Sequence, residues 1–210
     1  MIGKSLPKPL RVNLLFHWLG CVVAWITGWR VEGEFPDIPK FVVIVAPHTS
    51  NWDLPTAVML SFVVRIHGSW MAKHTIFWPP LSWILRGLGG FPIERTGHHG
   101  VVKQAVDEFA RRDIMLLALA PEGTRSRTEY WKSGFYQIAL HARVPVVPCY
   151  LDYSRKLGCI TAPITLTGNI KTDMDKLRAV YATAIPRYPE LQGPVCLKNE
   201  EDASLLNSPQ

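Results

Sequence analysis

The chain has 210 residues, of which 48% are hydrophobic, and it carries 23 Lys and Arg against 17 Asp and Glu. This length suits one domain with a buried core, and the apolar composition excludes a largely disordered chain. A net charge of +6 is compatible with nucleic acid, an anionic membrane surface or an anionic substrate. Because zinc-finger spacing, basic-region heptads and an RNA-binding signature are all missing, we expect no nucleic-acid partner.

The chain contains 4 cysteines and 7 histidines. The cysteines form no CxxC pair, so we expect buried or idle thiols in a protein that faces the cytosol. No set of histidines has the spacing and placement of a metal site, and we expect neither a metal nor a cofactor.

The chain begins with three basic residues, Lys4, Lys8 and Arg11, followed by an apolar run at residues 12–29. This run holds no Lys, Arg, Asp or Glu. It is short for a spanning helix and lacks a signal-peptidase site, so we favour a helix that lies at a membrane interface. A helix packed on the domain itself is the alternative. We therefore predict a membrane-associating helix at residues 1–29, a domain at 30–197 and a flexible acidic tail at 198–210.

Strands and helices alternate along the rest of the chain. Apolar runs predict strands at 41–46, 70–72, 114–120 and 144–151, with an antiparallel partner after Gly158. Helical periodicity or capping signals predict helices after Ser50, at 101–112, at 135–142 and after Thr172. The pattern predicts an α/β fold with a central, mostly parallel sheet covered by helices, in which His48 and Glu122 meet at the carboxyl edge.

The segment His-Thr-Ser-Asn-Trp-Asp places His48 and Asp53 between the first predicted strand and its helix. If His48 lies in the turn before the helix, a carboxylate on one ring nitrogen fixes the tautomer and leaves the other nitrogen free to accept a proton. Histidine ordinarily titrates near pH 6.5, which suits a general base. The alternative is that Ser50 and Asp53 only cap the helix.

A second polar segment, Pro-Glu-Gly-Thr-Arg-Ser-Arg, follows the strand predicted at 114–120. Gly123 allows backbone amides to approach an anion, Arg125 can form two parallel hydrogen bonds to a phosphate, and Glu122 can orient Arg125 or a substrate hydroxyl. Lys73 and Arg95 also follow short apolar runs. The alternatives are a solvated turn for the segment and surface solubility for the two cations.

Four blocks occur in an order that resembles the glycerolipid acyltransferase superfamily, which includes 1-acylglycerol-3-phosphate acyltransferases. The blocks are His-x4-Asp at residues 48–53, Gly-Phe-Pro-Ile-Glu-Arg at 90–95, Pro-Glu-Gly-Thr-Arg-Ser at 121–126 and Val-Pro-Val-Val-Pro at 144–148. Lys73 and residues 132–134 match intervening positions. The resemblance covers residues 30–155, and the ordered set is more specific than any single block.

The resemblance implies that His48 deprotonates the acceptor hydroxyl and that Asp53 orients His48. The acyl donor is then acyl-CoA or an acyl-carrier protein, and the acceptor is a lysophospholipid such as 1-acylglycerol-3-phosphate. Lys73, Arg95 and the loop of Glu122, Gly123, Thr124 and Arg125 would bind that acceptor, and the start of the helix after His48 would help to stabilise the oxyanion. The implied location is the cytoplasmic face of a membrane.

Two positions depart from the pattern of the superfamily. Pro47 stands where many members have Asn, and Glu94 occupies a variable position. These departures leave the acceptor open, since another lysolipid, a glycolipid or an acylated amino acid would use the same core. A non-catalytic membrane-binding module and an acyl-thioester hydrolase are the competing functions.

Overall fold

The computed structural model describes residues 12–87, 89–94 and 100–200. Its strands are β1 Arg30–Glu32, β2 Lys40–Val45, β3 Ser69–Lys73, β4 Gly90–Ile93, β5 Met115–Leu119, β6 Val146–Asp152 and β7 Leu157–Ile160. Its α-helices are α1 Leu14–Thr27, α2 Asp53–Val63, α3 Leu81–Gly87, α4 Val101–Arg111, α5 Gly134–Ala142 and α6 Ile170–Tyr181.

The strands form a seven-stranded sheet in the order β1-β7-β6-β2-β5-β3-β4. The central strand β2 pairs in parallel with β5 and β6, and β3 pairs in parallel with β5 and β4. Only the β6–β7 pair is antiparallel among the pairs that the described strands form. The predicted α/β fold with a mostly parallel sheet and a final antiparallel partner is therefore confirmed.

Side chains on the two faces of β2 enter two separate cores. Val42 and Ile44 pack with residues of α4, α5 and α6, whereas Phe41 and Val43 pack with Ile66 beyond the end of α2. Because successive side chains of a strand point to opposite faces, a continuous apolar run such as β2 requires cover on both sides. This arrangement places β2 at the centre of the molecule and its carboxyl end at the middle of one sheet edge.

Helix α1 packs on α2 through a narrow stripe of small residues. Gly20 and Ala24 are buried, and a Cβ added to Gly20 would lie 2.7 Å from the Cβ of Phe62. Most of the remaining surface of α1 is apolar and exposed, including Trp18 at 64% and Trp25 at 83%. Within the described ranges, no helix has both the length and the apolar character that crossing a membrane requires.

Several element ends differ from the predicted ones. Asn169 begins the last helix, because its side chain accepts the N–H of Thr172, so α6 starts before the predicted cap.

Strands β1 and β4 were not predicted, since three or four residues carry too little periodicity for a strand signal. At the other end of the chain, Glu200 forms an ion pair with Arg178 at 2.7 Å, so the start of the predicted tail is attached to α6.

Candidate active site

The predicted site residues follow the carboxyl ends of neighbouring strands. His48 follows β2, and Glu122 follows β5, which pairs with β2 up to the Ile44–Leu119 position. Lys73 is the last residue of β3, on the far side of β5. Since parallel strands end at a common edge, the fold brings residues distant in sequence to one edge of the sheet, as predicted.

His48 and Asp53 are in direct contact. The Nδ1 atom of His48 lies 3.0 Å from Oδ2 of Asp53, and the two side chains are 17% and 4% exposed. A carboxylate only accepts hydrogen bonds, so the Nδ1 atom carries the proton and Nε2 has a free lone pair. Nε2 makes no hydrogen bond to any residue in the described part of the chain. The geometry is that of an oriented imidazole with one basic nitrogen available.

Asp53 also shapes the turn in which His48 lies. Its Oδ2 accepts the backbone N–H groups of Thr49 and Ser50, both at 2.9 Å, and Oδ1 accepts the hydroxyl of Tyr153 at 2.8 Å. Burial raises the pKa of Asp53, but the hydrogen bonds from His48, the backbone and Tyr153 outweigh it and lower the pKa below the ordinary value. Asp53 is therefore ionised at neutral pH. The carboxylate pairs with His48 and also holds the turn that precedes α2, whereas α2 itself has no side-chain hydrogen bond at its N-cap, Trp52.

Glu122 is buried directly behind His48. Its Oε1 accepts the backbone N–H of His48 at 3.0 Å, and its side chain makes no hydrogen bond to Arg125. Its Oε2 is buried and has no hydrogen-bond partner among the described residues. Burial raises the pKa of Glu122, and the charge of Asp53 adds to the increase. The structure thus places Glu122 against the His48 turn rather than in the exposed part of its own loop.

The rest of that loop is exposed and basic. Gly123 adopts a φ of +67°, which favours glycine, and a Cβ at this position would lie 2.8 Å from Nζ of Lys132. Thr124 and Arg125 are exposed, and the hydroxyl of Thr124 accepts the N–H of Ser126. Neither Arg125 nor Lys132 forms a salt bridge within the described ranges. Their charges are therefore available to an anion.

Two of the predicted acceptor-binding residues are described incompletely or not at all. Lys73 has a defined place in β3, where it pairs with Ile93, but the position of its side chain is not described. Arg95 lies outside the described residues. Both remain predictions from the sequence.

Three further residues contact the site and were not predicted. Tyr153 binds Asp53, the N–H of Tyr188 donates to the Thr49 hydroxyl at 3.2 Å, and the guanidinium of Arg187 lies 5.8 Å from the ring centroid of Tyr153. Tyr153 directly follows β6, so its position at the common sheet edge was a usable signal. Arg187 and Tyr188 follow no strand and match no motif, so no sequence signal indicates their place at the site.

The backbone groups at the start of α2 are partly occupied. The N–H groups of Thr49 and Ser50 both donate to Asp53, so an oxyanion near His48 would need other donors. The described residues include no group of three or more His, Cys, Asp and Glu that could hold a metal ion. The chemistry that this arrangement supports is proton transfer by His48 beside a basic surface.

A family model described as Acyltransferase matches residues 30–152 of this chain. Curated relatives named 1-acyl-sn-glycerol-3-phosphate acyltransferase include one from Cocos nucifera, 29% identical over 93% of this chain and 70% of the relative. Another, from Escherichia coli, is 32% identical over 72% of this chain and 64% of the relative. A third, from Limnanthes alba, is 29% identical over 66% of this chain and 51% of the relative. The chain thus spans between about half and 70% of these relatives.

A solved structure with a similar fold is that of the 1-acyl-sn-glycerophosphate acyltransferase PlsC from Thermotoga maritima. Its TM-score is 0.54 with 18% sequence identity, and the superposition covers 93% of this chain and 80% of that one. At this identity the similarity supports the fold alone.

Proposed function

The chain belongs to the Acyltransferase family, and from this premise we propose that it transfers a fatty acyl group from an acyl thioester to a hydroxyl of a lysophospholipid-like acceptor. The family model and the relatives confirm the predicted membership of the glycerolipid acyltransferase superfamily and the predicted enzyme class. Three relatives are named for 1-acyl-sn-glycerol-3-phosphate, which makes this lipid the acceptor that we propose first. The observation that carries the proposal is the 3.0 Å contact between His48 and Asp53.

His48 acts as the general base in the proposed reaction. Its Nε2 takes the proton of the acceptor hydroxyl while that oxygen attacks the thioester carbonyl. The C–O ester bond forms, the C–S bond breaks, and the proton passes from Nε2 to the departing thiolate of CoA or of an acyl-carrier protein. The positive charge that His48 acquires is stabilised by the ionised Asp53 in contact with it. No covalent acyl-enzyme is required.

The acceptor phosphate is proposed to bind the exposed basic loop after β5. Arg125 can form two parallel hydrogen bonds to phosphate oxygens, and Lys132 adds a second cation beside Gly123. Thr124, Lys73 and Arg95 are proposed to complete this site, as the sequence blocks imply. Glu122 is proposed to position His48, because its Oε1 accepts the backbone N–H of His48 at 3.0 Å.

We propose that the enzyme works at the cytoplasmic face of a membrane, held by interfacial contacts. Helix α1 presents an apolar face to solvent, and a second exposed apolar group lies on α3. The apolar face of α1 consists of Leu15, Trp18, Leu19, Val22, Trp25 and Ile26. The group on α3 includes Trp83 at 84% and Ile84 at 60% exposure. Tryptophan and aliphatic side chains favour the boundary between lipid headgroups and acyl chains, and the net charge of +6 favours anionic lipid.

The test is release of thiol from palmitoyl-CoA by the wild type and His48→Ala, with and without 1-acylglycerol-3-phosphate, with lipid products resolved by mass. We expect release that depends on both the acceptor and His48, together with a new diacyl product. The matched control is His141→Ala, because His141 is exposed on α5 and its ring contacts the carbonyl of Gln137 in the same helix.

Two results would contradict the proposal. Release that depends on His48 but needs no acceptor would identify a thioesterase. Absence of release with acyl-CoA and with acyl-carrier-protein donors would favour a membrane-binding module without catalysis.

A further inference from the structure

We infer that Tyr153 is a positioning residue for the His48–Asp53 pair, an inference that rests on the proposed function. The Tyr153 hydroxyl donates to Oδ1 of Asp53 at 2.8 Å, while Oδ2 accepts from the ring of His48 at 3.0 Å. The N–H groups of Thr49 and Ser50 also donate to Oδ2, so Tyr153 holds the opposite oxygen and completes the orientation of the carboxylate toward the imidazole.

The backbone and ring of Tyr153 are held independently of its hydroxyl. Its N–H donates to the carbonyl of Ile185 at 2.9 Å, and its ring packs edge-on against Trp29 with centroids 5.1 Å apart. The guanidinium of Arg187 lies 5.8 Å from the centroid of the ring. Because these contacts involve the ring and backbone, removal of the hydroxyl oxygen alone would leave Tyr153 in place.

The hydroxyl is a hydrogen-bond donor over the whole working pH range. Burial and the nearby Asp53 carboxylate raise the pKa of Tyr153 to about 12. The charged and titratable groups around the pair come from four parts of the fold: His48 and Asp53 after β2, Glu122 after β5, Tyr153 after β6, and Arg187 in the segment that follows α6. Among them, Tyr153 supplies a neutral donor to Oδ1 of Asp53.

Without this donor, Oδ1 of Asp53 loses the Tyr153 partner in a site where the side chain is 4% exposed. Oδ2 keeps the N–H groups of Thr49 and Ser50, but the restraint on the other oxygen is lost, and the contact of the carboxylate with His48 is less well aligned. The Tyr153 hydroxyl is one of the donors that lower the pKa of Asp53, so its removal raises that pKa and the ionised carboxylate is lost at a higher pH. Removal of the groups that orient metal-binding histidines typically lowers activity about 10- to 100-fold, and we expect an effect of similar size for the orientation of His48.

The experiment compares Tyr153→Phe with Tyr136→Phe. Tyr136 is the matched control, because its buried hydroxyl donates to the buried Asp173 at 2.9 Å, in the helical layer that contains α5 and α6. For Tyr153→Phe we expect kcat to fall roughly tenfold with an unchanged KM, and the acid limb of the kcat profile to move to higher pH. Tyr136→Phe should change neither kcat nor the pH profile.

A second readout does not depend on turnover. The proton on Nδ1 of His48 can be followed by NMR in the purified protein, and its resonance can be assigned by its loss in His48→Ala. Tyr153→Phe should shift or broaden this resonance, whereas Tyr136→Phe should not. An unchanged resonance or an unchanged pH profile in Tyr153→Phe would overturn the inference. A shifted resonance in a protein without acyltransferase activity would overturn the proposed function and leave the positioning role of Tyr153 standing.

Discussion

At the scale of single residues, the Asp53 carboxylate determines the geometry of the site. Four donors converge on it, from the ring of His48, the N–H groups of Thr49 and Ser50, and the hydroxyl of Tyr153. Three of these donors are backbone or ring N–H groups within five residues of Asp53, so the turn and the His48–Asp53 contact form together. A substitution at Asp53 should therefore affect both the alignment of His48 and the start of α2.

Glu122 gives a prediction about stability and pH. Its raised pKa means that the stability contributed by the protonated form is complete below the ordinary value of 4.5 and is lost as the pH rises through the raised value. Glu122→Gln cannot ionise and still presents an oxygen to the N–H of His48. We expect this variant to be more stable than the wild type at pH 8, by about 1 kcal/mol, with the difference vanishing near pH 4.

Thermal unfolding of Glu122→Gln from pH 4 to pH 8 measures this effect, with Glu34→Gln as the control at an exposed glutamate. A stability difference that is the same at every pH would show that ionisation of Glu122 is not its cause.

The sequence was sufficient to predict the His48–Asp53 contact and insufficient for Tyr153 and Arg187. The first two residues are close in sequence, and their spacing around the start of a helix makes contact a local property. Tyr153 reaches Asp53 across 100 positions, and that contact depends on the pairing of β6 with β2. The position of Tyr153 after a strand indicates that it lies at the shared sheet edge, but it does not indicate that its partner is Asp53.

At the scale of elements, the contact between α1 and α2 depends on Gly20. A Cβ there would lie 2.7 Å from Phe62 Cβ and 3.1 Å from the carbonyl oxygen of Met59. The helix propensity gained by Gly20→Ala is about 1 kcal/mol, but overpacking against a backbone atom costs roughly 1 to 3 kcal/mol. We therefore expect a net loss of up to about 2 kcal/mol in the free energy of unfolding.

Urea denaturation of Gly20→Ala tests this, with Gly134→Ala as the matched control at the first residue of α5. A Cβ at Gly134 would meet no atom within 4 Å, so the control should be neutral or slightly more stable. Equal stability changes in the two variants would show that α1 does not pack closely on α2 in solution.

The long apolar strands were predictable at this scale, and element ends were less so. Strand β2 is apolar on both faces because helices cover both, and this leaves a clear run in the sequence. The start of α6 was assigned to Thr172 because its hydroxyl and Asp175 fit a capping pattern. Asn169 fits equally well as a cap, and in the structure its side chain accepts the N–H of Thr172, so the helix starts at Ile170.

At the scale of the whole molecule, two exposed apolar groups distinguish the protein from a typical monomer. They are the apolar face of α1 and the group of Trp83 and Ile84 on α3. We expect the variant with both Trp18→Ser and Trp25→Ser to bind anionic phospholipid vesicles at least tenfold more weakly. In the wild type, each indole would bury a large apolar surface at the membrane interface, and the variant lacks both.

Vesicle sedimentation measures this binding, and circular dichroism confirms that the variant is folded. Interfacial attachment also predicts that high salt or alkaline treatment releases much of the wild type from membranes. Retention after both treatments, or undiminished vesicle binding by the double variant, would contradict attachment through α1.

The central claim is that His48 and Asp53 act as one catalytic unit, and a double-mutant cycle in kcat tests it most directly. His48→Ala and Asp53→Asn are each expected to lower kcat by roughly 10²- to 10⁴-fold, because one removes the base and the other its orientation. The double variant should be no slower than His48→Ala, since Asp53 has no other catalytic partner. Losses that multiply in the double variant would mean that the two residues act independently, and the account of the site would be wrong.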